Sequence, residues 1–365
     1  MNCSALHLRQ LALLASALGT SAQAAGVPTL QEVAVTARQH ELIGVADSAS
    51  EGTVTAAQLR NRPLLRPAEA LETVPGMIVT QHSGDGKANQ YFLRGFNLDH
   101  GSDFATHVLG MPVNMASHAH GQGYMDLNFL MPELVQGIAY RKGVYAAEDG
   151  DFATTGSARI DYRRRLAQPF VELGLGQNGY QRLMAAGSRA LGEEGDGRQL
   201  LVAAELMGYD GPWAQPENLQ RRNLLLRLSD GSARHGYAIT AMSYSAHWTA
   251  TEHVPQRAID SGTVGRFGSL DPTTGGRSLR HSLAAEWAGR GDASQTRATA
   301  WWLRSSLDLW SNFQYCLGDY AATGSCATGD QFRQSERRYA GGFDVSHTLY
   351  GRWAGLDKTE CGLHT

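Results

Sequence analysis

From about residue 168 onward, apolar and polar residues alternate in long runs broken by turn residues. Val171, Leu173 and Leu175 alternate with Glu172, Gly174 and Gly176, and Leu224, Leu226 and Leu228 alternate with Asn223, Leu225, Arg227 and Ser229. Leu279, His281, Leu283, Ala285 and Trp287 oppose Arg280, Ser282, Ala284 and Glu286, while Tyr339, Phe343, Val345 and Leu349 share a face opposite Arg338, Gly342, Asp344 and Ser346. A period of two places each set on its own face of a strand. Repeated segments of ~10 residues with this pattern are the signature of membrane β-barrel strands. The connections at 178–179, 192–197, 230–234 and 289–293 are short, whereas those at 211–219, 249–276 and 307–335 are long. A soluble β-sandwich shares the alternation but not this systematic difference in loop length. Aromatic residues near strand ends (Tyr209, Trp213, Tyr237, Trp248, Trp301, Trp302 and Trp310) fit interfacial girdles.

The region 51–166 reads differently, as a mixed α+β domain. Residues 55–61 and 67–74 predict short helical turns, the second opening with Pro67 at a first-turn position. Strands are expected at 76–80, 91–94, 106–109, 137–141 and 158–162, separated by Gly-containing turns. About eight strands follow, and the chain ends inside a ninth. An eight-stranded barrel is filled by its own side chains. It could not hold a preceding domain whose radius of gyration is about 13 Å. Either that domain sits outside a small barrel, or the strands belong to a larger, incomplete one; the odd strand favours the second.

Composition adds the compartment. The first residues carry Arg9, an apolar run at 11–18 and the small-x-small pattern Ala22-Gln23-Ala24, which together read as a secretory signal over 1–24. That run is too short for a spanning helix, which needs ~20 residues. Residues 25–50 form a polar, small-residue segment in which Val33 and Val35 alternate like a strand. The segment is either the first strand of the next domain or an arm that adds a strand to another protein's sheet. Cys316 and Cys326 flank a short polar loop, and in an oxidising compartment pairing is the default. The formal net charge of -3 gives no support to a nucleic-acid partner. The 42 glycines among 365 residues mark many turns rather than disorder, because only 11 prolines accompany them.

Four motifs occur in an order and spacing that resemble TonB-dependent receptors. They are LETVPGMIV at 71–79, FLRGF at 92–96, VLGMPVN at 108–114 and IAYRKG at 138–143. The resemblance implies an α+β plug domain over 51–166 followed by antiparallel transmembrane β-barrel strands over 167–365, an incomplete part of a 22-stranded barrel. It implies that Glu32, Val33, Ala34, Val35, Thr36 and Ala37 are the TonB box. That box pairs with TonB as an added strand and couples the inner-membrane proton gradient to import of a scarce ligand. It also assigns plug roles to Arg94, Gly95, Gly110, Pro112, Arg141 and Gly143. Arg94 is expected as a buried or barrel-facing ion-pair partner and Gly95 as a tight backbone site. Leu109-Gly110 stands where the family commonly has Asp-Gly. The implied partners are TonB, outer-membrane lipid and a small-molecule or metal-chelate ligand. The alternative is a truncated, non-transporting receptor remnant or surface-binding protein.

Candidate ligand chemistry is concentrated in one histidine-rich stretch: Asp99, His100, Asp103, His107, His118 and His120. His118 and His120 lie two apart, so on an extended strand they point the same way. With Asp99 or Asp103 they offer donors for zinc or copper. The other reading is a set of polar loop residues that bind no metal, with an iron–siderophore complex as ligand. No resident cofactor is expected, and any metal would be cargo. Gly174, Gly176 and Gly179 match G-x-G-x-x-G, but the segment alternates with polar residues and ends in Asn178-Gly179, a hairpin signal, rather than opening a helix. With no G-x-S-x-G and no H-E-x-x-H, an enzyme is not expected.

Overall fold

The structure is a computed structural model and describes residues 45–46, 48–192, 197–325, 329–353 and 356–364. The expected signal and the TonB box at 32–37 lie outside the described residues. Two bodies of different logic follow.

The first is built on a six-stranded sheet in the order β1-β2-β8-β9-β6-β7. Its strands are β1 (Val45–Ala46), β2 (Glu51–Thr55), β6 (Phe104–Val108), β7 (Met111–Pro112), β8 (Val135–Arg141) and β9 (Gly156–Tyr162). The pair β6 and β9 is parallel, and the other neighbours are antiparallel. A smaller three-stranded sheet comprises β3 (Met77–Thr80), β4 (Gln90–Leu93) and β5 (Phe96–Asn97). The helical turns lie where expected, at Ala56–Arg60 and Pro67–Thr73. Thr55 caps the first, its hydroxyl accepting the Gln58 N–H at 3.3 Å. The second is a 3-10 turn that Glu72 ties to β3 by accepting the Val79 N–H at 3.0 Å. Phe104, Val108, Met111, Leu127, Leu130, Met131, Ile138 and Ile160 bury their side chains together between these pieces.

The second body is one nine-stranded antiparallel meander from Phe170 to His364, every strand pairing with its sequence neighbour. Its strands are β10 (Phe170–Leu175), β11 (Gln181–Ala190), β12 (Gln199–Tyr209), β13 (Leu219–Gly231) and β14 (Gly236–Thr249). They continue as β15 (Gly275–Arg290), β16 (Ser294–Ser311), β17 (Phe332–Trp353) and β18 (Leu356–His364). G-x-G-x-x-G thus falls on β10 and its hairpin turn, away from any βαβ unit.

The sheet is inverted relative to a soluble sandwich. Its inner face buries Glu205, Arg221, Asn223, Arg227, Thr240 and Arg280 against the first body. Its outer face exposes Val171, Leu173, Leu206, Leu224, Leu226, Ile239, Leu283 and Trp287. Charged residues inside and leucines outside suit a sheet that meets lipid with its outer surface. Not every expected girdle residue takes part, since Trp248 is buried beneath the first body. Gly84 and Gly86 are the reason: a Cβ on Gly84 would sit 2.7 Å from Trp248 Cδ1, and one on Gly86 would overlap the indole.

The connections alternate between rims. Those at 232–235 and 291–293 are tight, whereas 210–218, 250–274 and 312–331 are long. The short turn Asn178-Gly179, with φ of 55° and 70°, lies at the long-loop rim, because Asp210 donates its N–H to the Asn178 carbonyl at 3.0 Å. The first body leaves for β10 at the opposite, tight-turn rim, where Arg164 donates to the carbonyls of Asp230 and Tyr237 at 3.1 and 2.8 Å.

Candidate functional site

Three loops of the first body rise to the long-loop rim, at 81–89, 98–103 and 115–123, and meet the sheet connections 250–274 and 312–331. Their rings form a chain. His253 stacks on His82 with centroids 5.3 Å apart, His82 lies 5.2 Å from His100, and His100 lies 4.7 Å from His120. Tyr124 completes the floor, stacked on His118 at 4.2 Å, and Phe313 closes the other end 6.0 Å from His253. Lys87 is fully buried beneath the chain, its ammonium 3.4 Å from His82 Nε2. Burial, before any neighbouring charge, lowers His82 to about 4, His100 to about 3 and His118 to about 4, and it lowers His120 as well. At neutral pH these imidazoles are uncharged donors and acceptors.

The expected pair His118 and His120 does not act as a pair. Residues 116–121 bend rather than run as a strand, so spacing by two no longer sets a common direction. His118 lies flat on Tyr124, with Nδ1 accepting the His120 N–H at 3.2 Å and Nε2 3.9 Å from Glu336. His120 turns edge-on to His100 instead. His107 lies apart, on β6 between Arg159 and Pro112. Asp103 is tied into the fold by accepting from the hydroxyls of Ser102 and Thr154, both at 2.6 Å. Asp99 is exposed beside His100. Among the described residues, no group of three or more His, Cys, Asp or Glu is arranged to hold a bare metal ion. Sequence reasoning missed His82, Lys87, His253 and Phe313. His82 and Lys87 reach the stretch through the packing of loops within the first body, and His253 and Phe313 only through the docking of the sheet against it.

The motif residues sort into several kinds. Leu109-Gly110 is the two-residue turn between β6 and β7, both with positive φ, of 55° and 74°. Leucine is costly in this conformation, but Leu109 is fully buried in the core, which offsets the strain. Gly110 presses on Thr299 of β16, where a Cβ on the glycine would lie only 2.9 Å from the threonine Cγ2. Pro112 lies on β7, and Gly143 follows β8 with φ of 116°. Arg141 pairs with Glu148 at 2.6 Å, Asp149 at 3.3 Å and Glu51 at 3.6 Å. Arg94 differs from expectation. It is exposed, has φ of 53° and makes no ion pair among the described residues, because the turn into β5 swings it outward. Gly95 is not cramped either: φ of 82° explains it, with open space where a Cβ would be. Cys316 is disulfide-bonded, its expected partner Cys326 lies outside the described residues, and Cys361 is free.

A polar seam joins the bodies. Glu133 of the first body pairs with Arg182 at 2.8 Å, Asp126 accepts from Ser278 at 3.4 Å, and the Arg280 guanidinium lies 4.7 Å from the centre of the Phe129 ring. Nearer the loop rim, Glu336 accepts the Ala119 N–H at 2.8 Å and Arg338 donates to Ser117 at 2.9 Å. Glu217, in the 210–218 loop, accepts from the Asp85 N–H at 3.0 Å and from Trp213 Nε1 at 2.6 Å. Burial first, and the Asp85 carboxylate second, raise Glu217 from 4.5 to about 7. An acid whose pKa is raised by folding contributes stability that is full below the unfolded value and lost as pH rises through the folded one. The seam is therefore expected to weaken between about pH 4.5 and 8. Unfolding midpoints measured across that range should fall, and Glu217→Gln should flatten the fall; an unchanged slope in the variant would clear Glu217 of any part in it.

Residues 45–157 match the family model of the TonB-dependent receptor plug domain. Solved structures share the fold across most of the chain. A mutant of the ferric enterobactin receptor of Pseudomonas aeruginosa is 16% identical with a TM-score of 0.60, covering 87% of this chain and 50% of its own. The pyoverdine outer membrane receptor of the same species, bound to pyoverdine, is 14% identical with a TM-score of 0.62, covering 86% and 45%. A siderophore receptor of Acinetobacter baumannii is 16% identical with a TM-score of 0.54, covering 82% and 42%. This chain thus spans half or less of the length of each of these receptors.

Proposed function

We propose that the protein is an outer-membrane importer of a scarce ligand, a reading supported by the match of residues 45–157 to the TonB-dependent receptor plug domain and by strands whose fold is similar to that of such receptors. The ligand is an iron–siderophore or another metal complex, taken up at the expense of the proton gradient through TonB. The observation that carries this reading is the meeting of plug loops and long barrel loops in one ring-lined floor, from His253 and His82 to His100 and His120. Long loops face outward and short turns face the periplasm in such barrels, so this floor opens to the medium. The apolar outer face of the nine strands supplies the contact with lipid. Strands beyond residue 365 completing a 22-stranded wall, and the box at 32–37 pairing with TonB as an added strand, finish the scheme. Strand addition works through backbone hydrogen bonds, so the box needs extended, unblocked amides more than particular side chains.

The test compares cells carrying the intact gene with cells carrying Val35→Pro, since proline removes an amide donor from the paired strand. Both are grown under metal limitation, and their iron, cobalt, nickel, copper and zinc contents are measured. The intact gene should raise at least one metal over the gene-deleted strain, and Val35→Pro should return it to the deleted level. Equal metal content in all three strains would defeat import as the function.

A further inference from the structure

We infer that the ligand is a transition-metal complex that brings its own chelating atoms, leaves two neighbouring coordination positions exchangeable, and is held there by Nε2 of His100 and Nε2 of His120. The inference deepens the proposed import reading and rests on it only for access from outside; binding itself needs no TonB.

The ring tautomers are fixed by their partners. His100 Nδ1 lies 2.9 Å from the Asn89 carbonyl, which can only accept, so the proton sits on Nδ1. His120 Nδ1 lies 2.8 Å from Gln334 Oε1. The Gln334 amide is oriented by its own donation from Nε2 to the Ala119 carbonyl at 3.0 Å, so its oxygen faces His120 and that proton too is on Nδ1. Both rings are neutral, for burial lowers both. Each therefore keeps a bare Nε2 lone pair, and neither Nε2 accepts a hydrogen bond among the described residues. A ligating histidine that donates its other ring N–H to a carbonyl is the usual arrangement behind a metal. Of the other rings, His118 accepts at Nδ1, His82 meets the Lys87 ammonium at Nε2, and His253 stacks on His82 one ring further from His100.

The spacing agrees. Metal–nitrogen bonds of ~2.0–2.1 Å place two imidazoles bound side by side with centroids roughly 4.5 Å apart. The observed separation is 4.7 Å with planes at 70°. Edge-to-face packing alone accounts for such a distance, but it does not require that both Nδ1 atoms be held by oxygen acceptors while both Nε2 atoms accept no hydrogen bond among the described residues. Two donors are too few for a bare ion, in keeping with the lack of any three-ligand group among the described residues. They suit an ion that arrives partly chelated, of the imidazole-preferring kind such as nickel, copper or zinc. A complex whose six positions are already filled gains nothing from them.

The probe is Ni(II)–nitrilotriacetate, which leaves two adjacent positions open, titrated calorimetrically into untagged, full-length protein purified from outer membranes in detergent. Bare Ni(II) and the saturated Ni(II)–EDTA complex are the controls. One equivalent of Ni(II)–nitrilotriacetate should bind, and Ni(II)–EDTA should not. His100→Gln and His120→Gln should each weaken binding at least tenfold, while His118→Gln stays within twofold. Gln334→Leu removes no donor atom, yet should weaken binding by about tenfold to a hundredfold by releasing the His120 ring. That variant keeps the test open where His100→Gln fails to fold. Failure to bind, equal binding by His120→Gln, or binding of the saturated complex would each overturn the inference. Val35→Pro leaves this titration untouched, so import and coordination fail separately.

Discussion

Glu205→Ala is expected to destabilise the folded protein by about 3–5 kcal/mol, the cost of leaving a buried charge without its partner. Glu205 is 1% exposed on the inner face of β12 and holds three donors. Arg182 Nε lies at 2.7 Å, Arg221 Nη2 at 3.2 Å and Asn223 Nδ2 at 2.7 Å. Arg182 has other carboxylates, Glu133 and Glu172, so it is not stranded by the change. Arg221 has no second carboxylate among the described residues, and its Nε already lacks a partner. The charge is therefore stranded on Arg221, while the Asn223 amide keeps the Asn128 carbonyl at 3.5 Å. Denaturant unfolding in detergent or lipid should show it as a lowered midpoint with little change in slope. Replacing both members of the pair, as Glu205→Leu with Arg221→Met, should recover most of the loss, because apolar substitutes for a buried ion pair are often neutral. Full destabilisation in the double variant would mean that packing, rather than the stranded charge, sets the cost.

Gly86→Val is expected to unseat the plug loop 83–87 from the barrel. Any side chain at this position overlaps the Trp248 indole, and a Cβ added at the nearby Gly84 would already lie 2.7 Å from Trp248 and 3.2 Å from Ala250. Overpacking commonly costs about 1–3 kcal/mol, and here the ring has nowhere to go because it is itself buried. Lys87 is next in sequence and its ammonium lies beneath His82, so the displacement reaches the ring-lined floor. The matching variant Trp248→Ala opens a cavity by itself, but in combination with Gly86→Val the two changes should partly cancel. A double-mutant cycle on unfolding midpoints reads that coupling directly. Simple additivity would show that the loop does not depend on this contact.

Much of the fold was legible in the sequence because it rests on local rules. A period of two needs no tertiary knowledge, and Leu224 and Leu226 face outward while Asn223 and Arg227 face inward, as that period requires. The helical turn opening at Pro67 and the strand ending in Arg141 likewise follow from neighbours in the chain. What depends on distant segments packing together in space was not legible. Trp248 resembled an interfacial aromatic because nothing local reveals the two glycines that cover it. His118 and His120 looked like a pair because spacing assumes a strand, and the chain bends there instead. His253 and His82 are 5.3 Å apart in space, yet their partnership has no sequence signal at all.

Import driven from the inner membrane requires that the chain engage TonB through residues 32–37. The decisive measurement titrates the purified periplasmic domain of TonB into full-length protein, intact and with Val35→Pro. Unfolding midpoints of the two proteins are measured alongside, and equal values show that the variant keeps the fold intact. Saturable binding to the intact protein, with a loss of at least tenfold in the variant, is the expected result. Equal affinity for both, or no binding to either, would refute coupling through this segment.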